Sequence, residues 1–409
     1  MQKVGLFLFL LFLFPKSVFA LEPCAQKNFI FLLHGVAGSE DTFGHLSDYL
    51  RNSDRCFEII PFEYETGSRY KDARDFAEDF YLFAEKAFIK KGGTDQDKIS
   101  LIMHSQGGLV GSLWINQLKK VDHPFVDQLD AFISLSTPYW GAGIADIGKK
   151  IFYSGINYNP IAPFGKAELN EMSFGSRTIN QIYEEFHETF NLPNLRPLAL
   201  GGLKKFSNVI TGEDDLVVPI YSSRPDHYRV IESQSLKRGP ASIMSHQFEK
   251  TNYFKFVTVK SNHFNFTLPG IASVPFKCLL LLKCEHPAVK YIVKHLKGEE
   301  VEESKSLFHR FRVQIFLENE TKSIPSFKNA RLSILNKDGT WIPKYQALKR
   351  YRGRATNKEG KAFTFYGVYL KKGQRMIKVK VTLKNKFERI LEIPVEGGHT
   401  SIINLNLAD

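Results

Sequence analysis

Apolar residues along the chain recur with two different periods, and the change from one to the other divides it. From residue 28 to about 297, short apolar runs alternate with longer stretches in which apolar side chains return every three or four positions. That pattern predicts strands alternating with helices. The runs at 28–33, 57–62, 99–103, 131–136, 206–210 and 254–260 read as strands, and residues 42–52, 70–90, 109–118 and 287–296 carry the helical period. Phe76, Phe80, Phe83 and Ala87 share one face of the long second helix and read as core packing. Strands and helices joined by short links predict a mostly parallel sheet covered on both faces. Beyond residue 307 the helical period is gone. Short alternating runs at 312–317, 331–335, 362–369, 376–383, 389–393 and 400–407 predict a small all-β sandwich. The charged stretch 298–306 between the two regions reads as a linker.

The first twenty residues stand outside this scheme. Lys3 is followed by an apolar run from 4 to 14, too short to span a bilayer as a helix, and Val18-Phe19-Ala20 supplies small residues at the usual cleavage positions. This predicts a secretory signal peptide over residues 1–20 and an exported protein, periplasmic or secreted. Export places the four cysteines, Cys24, Cys56, Cys278 and Cys284, where they can oxidise. Of the three possible pairings, proximity in the chain favours Cys24 with Cys56 and Cys278 with Cys284. No C-x-x-C or H-x-x-x-H spacing suggests a metal site.

Charge changes the picture of the second region. The 409 residues carry a formal net charge of +12, and residues 301–409 hold 22 Lys and Arg against 10 Asp and Glu, so the whole excess belongs to them. A field of that sign favours anionic membranes or acidic glycans. Export, and the lack of helix or aromatic-platform motifs, argue against nucleic acid as a partner.

Candidate chemistry centres on residues 99–118. The strand at 99–103 runs into His104-Ser105-Gln106-Gly107-Gly108 and then into the helical pattern. Such a strand–turn–helix pushes a serine out of the sheet edge with the next N–H groups aimed at whatever lies over its hydroxyl. Two further marks flank it. The strand at 28–33 ends in His34-Gly35-Val36-Ala37-Gly38, and Thr137-Pro138-Tyr139-Trp140-Gly141-Ala142 follows the strand at 131–136. Downstream, Thr211-Gly-Glu-Asp-Asp-Leu-Val-Val-Pro219 follows the predicted strand at 206–210, and His263 lies just past the strand at 254–260. The remaining histidines, among them His123, His187, His227 and His246, read as lying in surface-like or helical stretches.

In this order the motifs over about 28–297 resemble the α/β-hydrolase superfamily, specifically lipases and the GPI inositol-deacylases. One departure stands out. The usual G-x-S-x-G has Met103 at its first glycine, so either the turn opens or the flexible methionine finds a gap. The resemblance implies Ser105 as nucleophile, His263 as general base, and Asp215 as the acid, with Asp214 next and Glu213 a distant third. It also implies Val36 and Gln106 as backbone donors to an oxyanion, a helical lid insertion at about 138–195, and no cofactor. The stretch 355–368 resembles transthyretin-like or carboxypeptidase-regulatory-like β-sandwiches. The function expected from this is an exported serine hydrolase cleaving carboxylic esters of lipids or acylated surfaces. An acyltransferase, thioesterase or amidase on the same triad remains open, as does a non-catalytic surface-binding protein on a hydrolase scaffold.

Overall fold

The computed structural model describes residues 24–67, 70–143, 145, 165–203, 213–232, 246–263, 266, 286–305, 308–318, 331–335, 339–343, 351–356, 362–367, 373–382 and 388–406. The expected signal peptide, the expected Cys278–Cys284 pair and the predicted strand at 206–210 lie outside the described residues, as does much of the expected insertion.

A parallel sheet forms the first region, in the order β2 (Phe57–Phe62), β1 (Asn28–Leu33), β3 (Lys98–His104), β4 (Leu129–Leu135), β5 (Arg196–Gly202), β8 (Lys255–Val259). All six residues of β1 are buried, as a central strand covered on both faces requires. Side chains alternate across it. Phe29, Phe31 and Leu33 join a cluster with α2 (Ala73–Lys90) and α3 (Gln106–Lys120), through Phe76, Phe80, Leu113 and Trp114. Ile30 and Leu32 turn the other way, towards Leu46 and Leu50 of α1 (Gly44–Ser53) and Ile292 and Leu296 of the closing helix Pro287–Leu296. The α2 helix begins where it does because the Asp72 carboxylate accepts from the Arg74 N–H. The closing helix begins with a proline in its first turn, behind a His286 side chain that accepts from the Ala288 N–H. The Cys24–Cys56 disulfide forms, with Cα atoms 5.6 Å apart, tying the start of the described chain to β2.

Two corrections concern where this sheet ends. The last described strand before the Asp214–Asp215 loop is β5, Arg196–Gly202, a stretch not read as a strand from the sequence. The charged run 298–306 is not a free tether: Val301 is buried, the Ser304 N–H donates to the Phe256 carbonyl at 3.0 Å, and Thr258 N–H donates to Ser304 Oγ at 2.8 Å. It runs along β8 as an added edge.

The C-terminal strands are β9 (Phe311–Glu318), β10 (Arg331–Leu335), β11 (Trp341–Pro343), β12 (Tyr351–Thr356), β13 (Ala362–Gly367), β14 (Met376–Thr382), β15 (Glu388–Pro394) and β16 (Thr400–Asn406). Four of them form one sheet, β11-β10-β14-β15. The others recruit a hairpin of the first region, β6 (His227–Glu232) and β7 (His246–Lys250), into a six-stranded sheet, β12-β13-β9-β16-β6-β7. β6 pairs in parallel with β16 from Thr400↔His227 to Leu405↔Glu232. A sandwich built from residues 307–409 alone was expected; the structure completes it with the β6–β7 hairpin, inserted before β8. His227, read from sequence as surface-like or helical, is a fully buried strand residue ringed by Trp140, Tyr183 and Phe186.

Candidate active site

The turn between β3 and α3 holds Ser105 at φ 53° and ψ −122°, a left-handed conformation that a residue with a Cβ adopts only under constraint. The constraint comes from close packing. A Cβ on Gly107 would lie 2.4 Å from the Leu33 carbonyl oxygen, and one on Gly108 would lie 2.0 Å from Thr137 Oγ1. Both glycines are therefore needed for α3 to pass over the ends of β1 and β4. Gly35 closes the other side, since a Cβ there would meet Ser105 Cβ at 2.7 Å.

His263 reaches this serine from the loop after β8. Its Nε2 accepts from Ser105 Oγ at 2.9 Å and its Nδ1–H donates to Asp215 Oδ2 at 2.7 Å. The Asp215 carboxylate is wholly buried, and its other oxygen accepts the N–H groups of Val217 at 2.9 Å and Val218 at 2.7 Å. The backbone doubles the link, because the His263 N–H donates to the Asp215 carbonyl at 2.9 Å. Asp214 faces elsewhere: its Oδ1 accepts from Leu216 N–H at 3.1 Å within the turn. Glu213, the third candidate, takes the N–H groups of His309 at 2.7 Å and Arg310 at 2.9 Å, tying the acid loop to the start of the C-terminal region. Of the three carboxylates the structure brings Asp215 to the histidine.

Two more histidines line the approach. Burial holds His104 well below its ordinary range, and its Nε2–H donates to the His263 carbonyl at 3.0 Å. His34 is likewise lowered by burial, and its ring stacks on Tyr64 with centroids 4.1 Å apart. The Gly35–Gly38 turn that carries Val36 is closed by the Gly38 N–H on the Gly35 carbonyl at 3.0 Å and braced by the Ala37 N–H on Thr66 Oγ1 at 3.0 Å. Gln106 is the first residue of α3, so its N–H is one of the first-turn donors that have no carbonyl of their own helix to bond. A pair of N–H groups at such positions, beside a nucleophilic serine oxygen, can stabilise charge on a carbonyl oxygen as it forms.

Sequence reasoning passed over a pair of acids here. The insertion contains the helices Lys166–Glu171, Arg177–Glu184 and Phe186–Phe190. On the first, Glu168 and Glu171 are buried, and Glu171 Oε1 accepts from Gln106 Nε2 at 2.5 Å. Burial pushes the Glu171 carboxyl up to about 8, against the pull of the Ala73 N–H and the Gln106 amide. A sequence signal existed in two glutamates three residues apart in a short segment flanked by apolar side chains, but glutamate on a helix ordinarily reads as a solvated face.

Residues 25–156, from β1 through the serine turn to the start of the insertion, match the family described as "Putative serine esterase (DUF676)". Phospholipase PlaB from Legionella pneumophila has a similar structure, with a TM-score of 0.72 at 16% identity, covering 93% of this chain and 94% of that one. The same protein in complex with thio-NAD superposes with a TM-score of 0.66 at 15% identity over the same shares. At such identities the likeness is one of fold, and it extends through the C-terminal sheets. No curated protein matches. The chain has an α/β-hydrolase fold with further β-sheets towards its C-terminus, and its likeness to the serine esterase family lies in residues 25–156.

Proposed function

We propose that the protein is an exported serine hydrolase that cleaves carboxylic esters, with lipids or acylated surface molecules as substrates. The observation that carries this reading is the hydrogen-bonded run Asp215–His263–Ser105, with the serine on a strained turn. In the first half-reaction Ser105 Oγ attacks the ester carbonyl carbon while its proton passes to His263 Nε2. The buried Asp215 carboxylate holds the Nδ1–H and stabilises the imidazolium. The N–H groups of Val36 and Gln106 receive the oxyanion, a contribution of about 3 kcal/mol for each donor. Collapse of the tetrahedral intermediate expels the alkoxide, which takes the proton from His263 Nε2 and leaves an acyl-Ser105. Water, deprotonated by the same nitrogen, then attacks the acyl carbon, and the second tetrahedral intermediate collapses to release the carboxylic acid as Ser105 Oγ takes the proton back from His263 Nε2. These steps use the chain's own residues throughout.

The phospholipase fold relative, the aromatic- and isoleucine-rich composition of residues 147–195, and the +12 charge of residues 301–409 all favour an ester presented at an anionic lipid or glycan surface. The leader-like residues 1–20 and the Cys24–Cys56 disulfide support export.

A fluorophosphonate probe tests the reaction class. Wild-type protein should be labelled at Ser105 and should hydrolyse short nitrophenyl esters, and Ser105→Ala should abolish both. Hydrolysis that persists undiminished in Ser105→Ala overturns the assignment. Phospholipid vesicles with and without anionic lipid, each at low and high salt, test the surface: faster, salt-sensitive hydrolysis on the anionic vesicles is the expected result.

A further inference from the structure

The oxyanion donors assigned above lie on different segments, Val36 in the turn after β1 and Gln106 at the start of α3. An oxyanion hole works only if both N–H groups point at one spot, with tolerances of a few tenths of an ångström. Two carboxylates on the insertion helix Lys166–Glu171 connect the two segments.

Glu171 holds the Gln106 side of the hole. Its Oε1 accepts from Gln106 Nε2 at 2.5 Å, and its Oε2 accepts from the Ala73 N–H at the start of α2. These bonds fasten the Gln106 side chain to the insertion helix and to the start of α2. Glu168 reaches the Val36 side through one more residue. Its Oε2 accepts from Gly165 N–H at 2.7 Å and from Gly67 N–H at 2.8 Å. Thr66, next to Gly67, accepts the Ala37 N–H at 3.0 Å, and Ala37, at φ 60°, directly follows Val36. One turn of helix therefore holds the side chain of one donor residue directly and reaches the neighbour of the other through Gly67 and Thr66.

Burying carboxylates costs several kcal/mol each, and apolar residues of similar size would pack this helix with less penalty. Their arrangement is what an apolar helix could not reproduce: Glu171 Oε1 takes the side-chain amide of Gln106, and Glu168 Oε2 takes the N–H of Gly67, next to the Thr66 that bonds Ala37. On the reading of the protein as a serine hydrolase, we infer that Glu171 and Glu168 are positioning residues that keep the Val36 and Gln106 N–H groups aimed at a common point. The insertion then completes the active site as a fixed part of it, and catalysis depends on this helix being docked.

The experiment uses the full chain and separates this inference from the reaction class. Wild type, Glu171→Gln, Glu168→Gln and Thr66→Val are compared for fluorophosphonate labelling, for kcat and KM on a short nitrophenyl ester, and for affinity to an alkyl trifluoromethyl ketone. That ketone forms a tetrahedral adduct whose oxygen occupies the oxyanion position. At about pH 9, above the value of about 8 to which burial pushes the Glu171 carboxyl, the wild-type carboxylate accepts from both the Gln106 amide and the Ala73 N–H, whereas the carboxamide of Glu171→Gln has one accepting oxygen and serves only one of them. Glu171→Gln should therefore lower kcat by about tenfold or more, with KM within about twofold. Ketone affinity should fall by the same factor as kcat. Thr66→Val, made at a partly exposed position where folding is not at risk, should show the same parallel loss at about threefold to tenfold. Unchanged kcat and ketone affinity in Glu171→Gln and Thr66→Val overturn the positioning role, and so does a fall in kcat without a parallel fall in ketone affinity. Should Glu171→Gln not fold, Thr66→Val decides alone. Absence of Ser105 labelling in the wild type would count instead against the reaction class.

Discussion

Met103 Sδ occupies the space over Gly111: a Cβ placed on that glycine would lie 2.2 Å from the sulfur. The glycine missing from the serine turn is thus compensated one helical step further on, where α3 faces β3. Methionine's unbranched side chain runs from the strand into the notch, and the turn keeps its geometry.

The pairing makes a reciprocal prediction. Gly111→Ala should destabilise the protein by about 1 kcal/mol, because overpacking of about 1–3 kcal/mol outweighs the gain in helix propensity. Met103→Ala in the same chain removes the clash, so the double variant should be less unstable than the two single losses added together. Urea unfolding of the four proteins checks this. Strict additivity would mean that the contact does not set the cost.

Asp215→Asn and Asp214→Asn separate two neighbouring acids by function. The amide at 215 turns a donor or a weaker acceptor towards His263 Nδ1 and favours the wrong imidazole tautomer, so kcat should fall by about 10³ to 10⁴. The Asp214 carboxylate, by contrast, braces its own turn through the Leu216 N–H. Its amide variant should stay within about tenfold of wild type in kcat. The reverse order would move the acid to Asp214.

How much of this was readable beforehand depended on whether the signal was local. The serine turn, the His-Gly turn and the position of His263 are short-range patterns, each set by backbone crowding within a few residues, and the structure brings Ser105 and His263 together at one sheet edge. The parallel sheet followed from the alternation of periods. What escaped depends on partners far away in sequence. β6 reads as nothing in particular because its neighbour in the sheet is β16, some 170 residues later. Strand β5, Arg196–Gly202, ends in two glycines and begins with arginine and proline, which hide its apolar centre. Glu171 looks like a solvated helix residue until Gln106 and Ala73 arrive to bond it. The gap for Met103 could be foreseen, but not that Gly111 would provide it.

Acid should unfold the protein through its buried neutral histidines. Burial pushes His227 down to about 3 and both His286 and His295 down to about 4. Between the ordinary value of 6.5 and those values, the unfolded chain binds protons that the folded chain refuses. Stability is therefore fully present above about pH 6.5 and is lost as pH falls, by up to about 1.4 kcal/mol per pH unit for each histidine. His227→Phe should keep the ring packing against Trp140, Tyr183 and Phe186 while removing one titrating group. Urea unfolding at about pH 7, 6 and 5 should show a shallower loss for the variant. An unchanged slope would mean that His227 takes up no proton on unfolding in that range.

The parallel-sheet region and the C-terminal strands should not be separable. Ending the chain at residue 305 would strip β6 of its parallel partner β16 and leave β6 and β7 as an unsupported hairpin with an open edge. It would also remove the His309 and Arg310 N–H groups from the Glu213 carboxylate, on the loop that carries Asp215. Thr400 Oγ1 would no longer donate to the Tyr221 carbonyl. The truncated chain should therefore aggregate or lose cooperative unfolding, and the acid loop should loosen with it. Glu213→Gln tests the loop link within the intact protein. A glutamine amide offers one accepting oxygen where two N–H groups bond the carboxylate, and water can reach the released group, so unfolding should become easier by about 0.5–1.5 kcal/mol. Size-exclusion chromatography and urea unfolding decide both cases. A monodisperse 1–305 fragment hydrolysing esters at the full-length kcat would show that the shared sheet is dispensable, and the two regions would then be independent units in contact.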